Sequence, residues 1–243
     1  MLIKAALNGA RRPGTHPALP VTPTALAAAS AAAVTAGAGA IHLHVRARQG
    51  EESLAPEDVA HTLAAVRAAV PRTPIGISTG AWIVRDPAAR NALVAAWTVQ
   101  PDFASVNFDE EGATGLAELL LSRRVLVEAG LRDAPTAGRW VESGLSRRCL
   151  RVLLEPQDRE LPDALRTLAE IGAVLDAADV SCRRVVHGMG PTVWGMIEEA
   201  ARRGDDTRVG LEDTLHLPDG SVAPDNAALV AAAWRRVSGP AQP

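Results

Sequence analysis

Asn8-Gly9-Ala10-Arg11-Arg12-Pro13-Gly14 follows the first apolar run of the chain, and its composition decides between two folds. A strand opening a doubly wound sheet around a dinucleotide leads into Gly-x-Gly-x-x-Gly, whose glycines let the backbone approach a pyrophosphate. Here the two glycines are five residues apart, with two arginines and a proline between them. The closed arrangement of the same strand-helix units is therefore expected.

Outward from this loop, a short apolar run followed by a longer helix-like stretch recurs to the C-terminus. The strand candidates are 2–8, 40–45, 75–78, 103–107, 125–130, 149–154, 184–187 and 208–211. Helical patterns fill 22–36, 56–70, 87–97, 114–122, 162–177, 192–203 and 226–237, and the fifth unit carries a weaker helix at 136–143. Thr22-Pro23, Ala55-Pro56 and Asp86-Pro87 place proline in a first helical turn, and Gly37, Gly144 and Gly204 mark helix ends. Eight units in 243 residues average about 30 residues each, the length of a βαβ unit. The expected fold is α/β, a (β/α)8 TIM barrel, with residues 1–243 forming one domain.

A chain that is 47% hydrophobic can bury a large core, and a net charge of -3 leaves no electrostatic footprint for nucleic acid or an anionic membrane. Tyrosine is absent, which argues against base-stacking platforms. Alanine-rich runs such as 25–34 are too short and too weakly apolar to cross a bilayer. No secretory signal is recognised, so Cys149 and Cys182 are expected to be reduced thiols of a soluble cytoplasmic protein. Ala- and Leu-rich helical faces suggest a homo-oligomer, and the bulk properties suit a small-molecule partner.

Alternation along Ile41-His42-Leu43-His44-Val45 sends both imidazoles to one side, which in a barrel is the inside. Two neutral imidazoles spaced i, i+2 at a strand end can share one zinc ion, although a hydrogen-bonded polar pair fits the same pattern. Arg208-Val209-Gly210-Leu211-Glu212 alternates likewise, so Arg208, Gly210 and Glu212 share the inner face, with Gly210 leaving room for an ion or substrate. Barrel closure sets this strand two places from the His-x-His strand, roughly 10 Å away at the backbone. Two imidazoles and a carboxylate converging there leave an open coordination position, the catalytic arrangement of zinc. A solvated capping pair is the other reading of Glu212-Asp213. An inward Arg208 would hold an anionic group or orient Asp213.

His42-Leu43-His44-Val45-Arg46 after Ala36-Gly37-Ala38-Gly39-Ala40, together with Arg208-Val209-Gly210-Leu211-Glu212-Asp213 and the Val21-Thr22-Pro23 helix entry, resembles the β-keto acid cleavage enzyme family over essentially the whole chain. Members are zinc-dependent TIM barrels that convert a β-keto acid and acetyl-CoA into acetoacetate and a new acyl-CoA. The resemblance implies that His42, His44 and Glu212 hold Zn2+, that Arg208 and Asp213 serve proton transfer, and that Ser78 lines the site. It also implies substrate-binding roles for Ser105 and Asn107 at the end of the fourth strand and Glu128 at the end of the fifth. Members acting on amino-bearing keto acids have Thr-Gly-Ala-Glu where this chain has Asn8-Gly9-Ala10-Arg11. Arg11 would repel an ammonium and hold a carboxylate, so an acidic substrate is expected. His187-Gly188-Met189-Gly190 either offers amides to a phosphate or forms a tight turn. A zinc-dependent lyase or hydrolase without CoA, or a non-catalytic metal-binding barrel, remains open on the residues alone.

Overall fold

Eight parallel strands alternate with eight α-helices in the computed structural model, which describes residues 1–238. The strands are β1 (Ile3–Ala6), β2 (Ala40–Leu43), β3 (Ile75–Ser78), β4 (Phe103–Asn107), β5 (Leu126–Leu131), β6 (Arg151–Leu154), β7 (Arg183–Val186) and β8 (Asp206–Val209). They close in sequence order, β8 pairing with β1, into a (β/α)8 TIM barrel. The helices are α1 (Pro23–Thr35), α2 (Pro56–Ala69), α3 (Pro87–Ala95), α4 (Ala113–Ser122), α5 (Ala134–Glu142), α6 (Leu161–Ala177), α7 (Val193–Arg203) and α8 (Asn226–Val237). No helix among the described residues is long and apolar enough to cross a membrane. Residues 239–243, included in the one-domain expectation, lie outside the described residues.

Local chemistry accounts for most boundaries. Thr22 and Asp86 accept hydrogen bonds from the backbone of Ala25 and Ala89, capping α1 and α3 ahead of their prolines. The weak fifth helix starts two residues earlier than its pattern suggests, because Asp133 caps it through Thr136 N. Outward strand residues such as Ile41, Leu43, Ile75, Ile77, Val127 and Ala129 join Leu26, Leu63, Leu120 and Leu168 of the helices in one continuous apolar layer. At roughly 1.5–3 kcal/mol per large buried side chain, this layer supplies most of the drive to fold.

The barrel interior is different. Lys4, Glu128 and Arg151 are buried there, Glu128 accepting from Lys4 Nζ and, at 2.5 Å, from Arg151 Nε. The Arg151 guanidinium lies 4.7 Å from the centroid of Phe103, whose ring occupies the space that Gly76 leaves empty. Burial alone would raise the Glu128 carboxyl, but Lys4 and Arg151 outweigh it and hold the group well below the carboxylate range.

The eighth strand is where alternation misleads. It was expected over 208–211 but ends at Val209, because the chain turns at Gly210: Asp213 N and Thr214 N both donate to Gly210 O. A Cβ on residue 210 would fall 1.8 Å from Ala6 O. Gly210 thus permits a close approach to β1 rather than leaving room for a ligand.

Candidate metal centre and active-site cavity

The C-terminal ends of the strands surround a cavity of about 370 Å³. His42 enters it from β2 and His44 from just beyond that strand's end. The ladder has stopped by residue 44, yet its backbone is still held: Asn8 Nδ2 donates to His44 O at 2.9 Å, and His44 N donates to Asn8 Oδ1 at 2.8 Å. An asparagine side chain thereby stands in for a missing strand partner. Glu212 arrives from the turn after β8, packed against Gly9, where a Cβ would lie 2.4 Å from Glu212 Cγ.

His42 Nε2 is 3.6 Å from Glu212 Oε2, and His44 Nε2 is 3.5 Å from Glu212 Oε1. The three donor atoms lie within 4.8 Å of one another. Ligands around a tetrahedral zinc with bonds of about 2.0–2.1 Å stand roughly 3.4 Å apart, so the spacing suits one ion. Glu212 Oε2 is buried without a hydrogen-bond partner among the described residues, as a ligand oxygen facing a cation would be. The donor set fits a divalent metal with an open position for substrate.

Burial and neighbouring charges set the protonation of the three donors. Burial drives His42 well below the ordinary imidazole range, leaving a neutral ring. Burial also opposes a charge on His44, but Glu212 and Glu52 outweigh it and raise this ring to about 9. Glu212 is held far below the carboxylate range, burial being overcome by Arg208 and the two imidazoles. His44 Nδ1 lies 2.5 Å from Glu52 Oε1, and Trp82 Nε1 donates to Glu52 Oε2 at 3.0 Å. A carboxylate on the far nitrogen of a ligand imidazole sets its tautomer and orientation. Arg46 ties the surrounding loops, donating to Gly50 O, Arg11 O and Gly9 O.

The other expected residues separate into three groups. Ser78, Ser105, Asn107, Arg208 and Arg11 line the same cavity as the metal-centre residues. Asp213 is fully buried and does not line it. Arg208 Nη2 donates to Asp213 Oδ1 at 2.6 Å and to Glu212 Oε1 at 2.8 Å, joining the two carboxylates. Burial raises the Asp213 carboxyl in spite of Arg208. Glu128 is the exception: it sits mid-strand in β5, enclosed by Lys4 and Arg151, and is absent from the cavity wall. A buried carboxylate between two cations has no free face for a substrate.

Arg11 Nε donates to Leu211 O at 2.5 Å, and its side chain lines both the cavity and an adjoining groove of about 590 Å³ with Pro191, Trp194, Leu215 and Leu217. The amides after His187 are taken internally: Met189 N donates to Thr192 Oγ1 and Gly190 N to Asp213 O. The segment forms a turn into a short 3-10 helix. Unanticipated from sequence are Glu52, Trp82, Arg132, Glu155 and Gln157. Glu155 was within reach, being two residues beyond the inward Leu153 on the same pleat face. Glu52 and Trp82 lie in loops, where no period marks them.

Comparison with solved structures shows the barrel. The binary complex of ObcA with oxaloacetate superposes with a TM-score of 0.71 at 19% identity, covering 88% of this chain and 62% of that one. Apo ObcA gives 0.66 at 19% identity over 88% and 61%. The chain thus spans about three fifths of the length of ObcA. The 3-dehydroquinate dehydratase from Geobacillus kaustophilus HTA426 gives 0.61 at 10% identity over 85% and 80%. No curated protein matches in sequence. The family model for beta-keto acid cleavage enzyme matches residues 1–113 and 160–239, which include both histidines and Glu212. The chain belongs to the beta-keto acid cleavage enzyme family.

Proposed function

We propose that the protein is an acyltransferase that cleaves a β-keto acid, with acetyl-CoA as second substrate, giving acetoacetate and a new acyl-CoA. His42, His44 and Glu212 would hold zinc. When bound, the ion would polarise the keto and carboxylate oxygens of the substrate and so acidify the proton between them. The observation that carries the reading is the convergence of these three donors in a family member, with Glu52 behind His44. ObcA, named in its complex as binding oxaloacetate, supports a small keto acid as ligand.

The chain's own residues divide the remaining work. Arg208 faces the cavity and offers its guanidinium to developing negative charge. Asp213, buried behind Arg208 and accepting from its Nη2, orients that guanidinium; its raised pKa makes it the acceptor for a proton brought directly to it by substrate, since Arg208 keeps its own proton. Ser78 and Ser105 supply hydroxyls on the β3 and β4 wall, and Asn107 an amide. The groove beyond Arg11 gives a long, partly apolar second substrate a route to the cavity.

A panel of β-keto acids incubated with acetyl-CoA and zinc-loaded protein, read by mass spectrometry, tests the assignment. Acetoacetate together with a new acyl-CoA is expected. Cleavage with water alone would replace the acyltransferase reading with a lyase or hydrolase, and no consumption of any member would end it.

A further inference from the structure

The wall opposite the metal centre carries an arrangement in which the proposed chemistry uses only the Asn107 amide. In the closed strand order β6 stands across the barrel from β2, which bears the histidines. Glu155 directly follows β6, and its N–H donates to Leu131 O at 3.0 Å, so its backbone is held. One carboxylate oxygen, Oε2, lies 3.4 Å from His187 Nε2. The other, Oε1, receives no hydrogen bond among the described residues and faces the cavity side of β5.

Asn107 completes the arrangement. Its Nδ2 donates at 2.9 Å to Glu110 Oε1. Glu110 is itself held by Ala81 N and Arg90 Nη1, each at 2.8 Å. An ionised carboxylate only accepts, so the amide cannot be reversed and Oδ1 must point the other way. It points at Glu155. A Cβ on residue 130 would sit 2.5 Å from Glu155 Oε1 and 2.7 Å from Asn107 Oδ1, so both oxygens converge over Gly130. Two acceptors facing one point repel unless a donor lies between them, and a cationic group with several N–H bonds suits that place best. The nearby guanidiniums make their hydrogen bonds elsewhere, Arg132 with Asp109 at 3.0 Å and Arg208 with Glu212 and Asp213, and Glu155 acts on Arg208 only through charge, more weakly than those two carboxylates.

We infer that Glu155 Oε1 and Asn107 Oδ1, converging over Gly130, select a substrate whose far end carries a primary ammonium. The inference rests on the proposal that the reacting end of a keto acid lies at His42, His44 and Glu212. It also reassigns Arg11, which follows β1 between the strands bearing those residues. That cation serves the carboxylate of the reacting end, and the expectation of an acidic far end is replaced by a basic one.

The test is calorimetric binding to zinc-loaded protein without acetyl-CoA. Three 3-hydroxy acids of equal length, stable stand-ins for the keto acids, end in an amine, a methyl or a carboxylate. The amine should bind roughly tenfold or more tightly than the methyl compound, the scale of a charge-assisted contact. Glu155→Gln and, independently, Gly130→Ala should bring that ratio to about twofold or less, and Glu155→Arg should move the preference to the diacid. Equal binding of all three, a diacid preference in the wild type, or an unchanged ratio in both Glu155→Gln and Gly130→Ala overturns the inference while leaving the keto acid reading standing. Binding of none overturns both.

Discussion

Replacing Glu52 with glutamine separates two opposing effects on the metal centre. Glu52 lies 2.5 Å from His44 Nδ1, and together with Glu212 it raises that ring to about 9. At pH 7 zinc must therefore displace a proton held about two units above solution pH, which weakens apparent affinity by roughly a hundredfold. Wild-type affinity should rise about tenfold per pH unit from 7 to 9 and then level. Glu52→Gln removes part of that proton competition, but it also removes the carboxylate that orients the ring and raises its basicity. Loss of such a partner costs about 10–100-fold in metal affinity, or roughly 1.4–2.8 kcal/mol. Above pH 9, where competition has gone, the whole loss should appear; at pH 7 it should be smaller. Zinc titrated against a chelator buffer at pH 7 and 9.5 measures both. A variant as tight as wild type at pH 9.5, or wild-type affinity independent of pH, would refute the reasoning.

Gly9→Ala sets a methyl 2.4 Å from Glu212 Cγ at a backbone φ of +55°, so zinc affinity should fall and the melting temperature drop by an amount equivalent to about 1–3 kcal/mol, read by calorimetry with and without metal. Lys4→Met removes an ammonium whose burial outweighs its attraction to Glu128 and leaves Glu128 paired with Arg151, so denaturant unfolding should show a change of less than about 2 kcal/mol. Because Glu128 is held below its unfolded value near 4.3, the unfolded chain binds a proton that the folded one does not as pH falls through that range. The stability Glu128 contributes is complete above pH 5 and is lost towards pH 2, a loss that Glu128→Gln should lack in acid titrations. Asp213→Asn should keep zinc and fold but lower turnover by roughly a hundredfold or more, whereas Arg208→Ala, which also strips Glu212 of its hydrogen-bond donor, should lower turnover as far and weaken zinc too; zinc lost in Asp213→Asn would make Asp213 a support of the metal centre instead.

Where a residue's direction follows from strand alternation, the sequence was sufficient. His42 and Arg208 lie within β2 and β8, and a period of two placed them inside the barrel. His44 and Glu212 lie beyond the strand ends. They reach the cavity by devices that alternation does not encode: the Asn8 side chain pairing with His44, and the turn at Gly210. The pattern pointed both towards the cavity they line, but for an incomplete reason. Glu128 shows the limit in the other direction, since alternation says that it points inward but not how deep it lies. Depth depends on the register of β5 with its neighbours, which opposes Glu128 to Arg151 and buries both beneath the cavity. The Gly130 cradle was equally illegible, because a glycine in a strand does not announce which side chains from β4 and β6 will converge on it.

The metal content of the purified protein tests the central claim most directly. Elemental analysis of wild type should give about one zinc per chain, and His42→Ala and His44→Ala, folded by circular dichroism, should each lose most of it. Undiminished zinc in both variants would contradict the account, since the ion would then be held somewhere other than His42, His44 and Glu212.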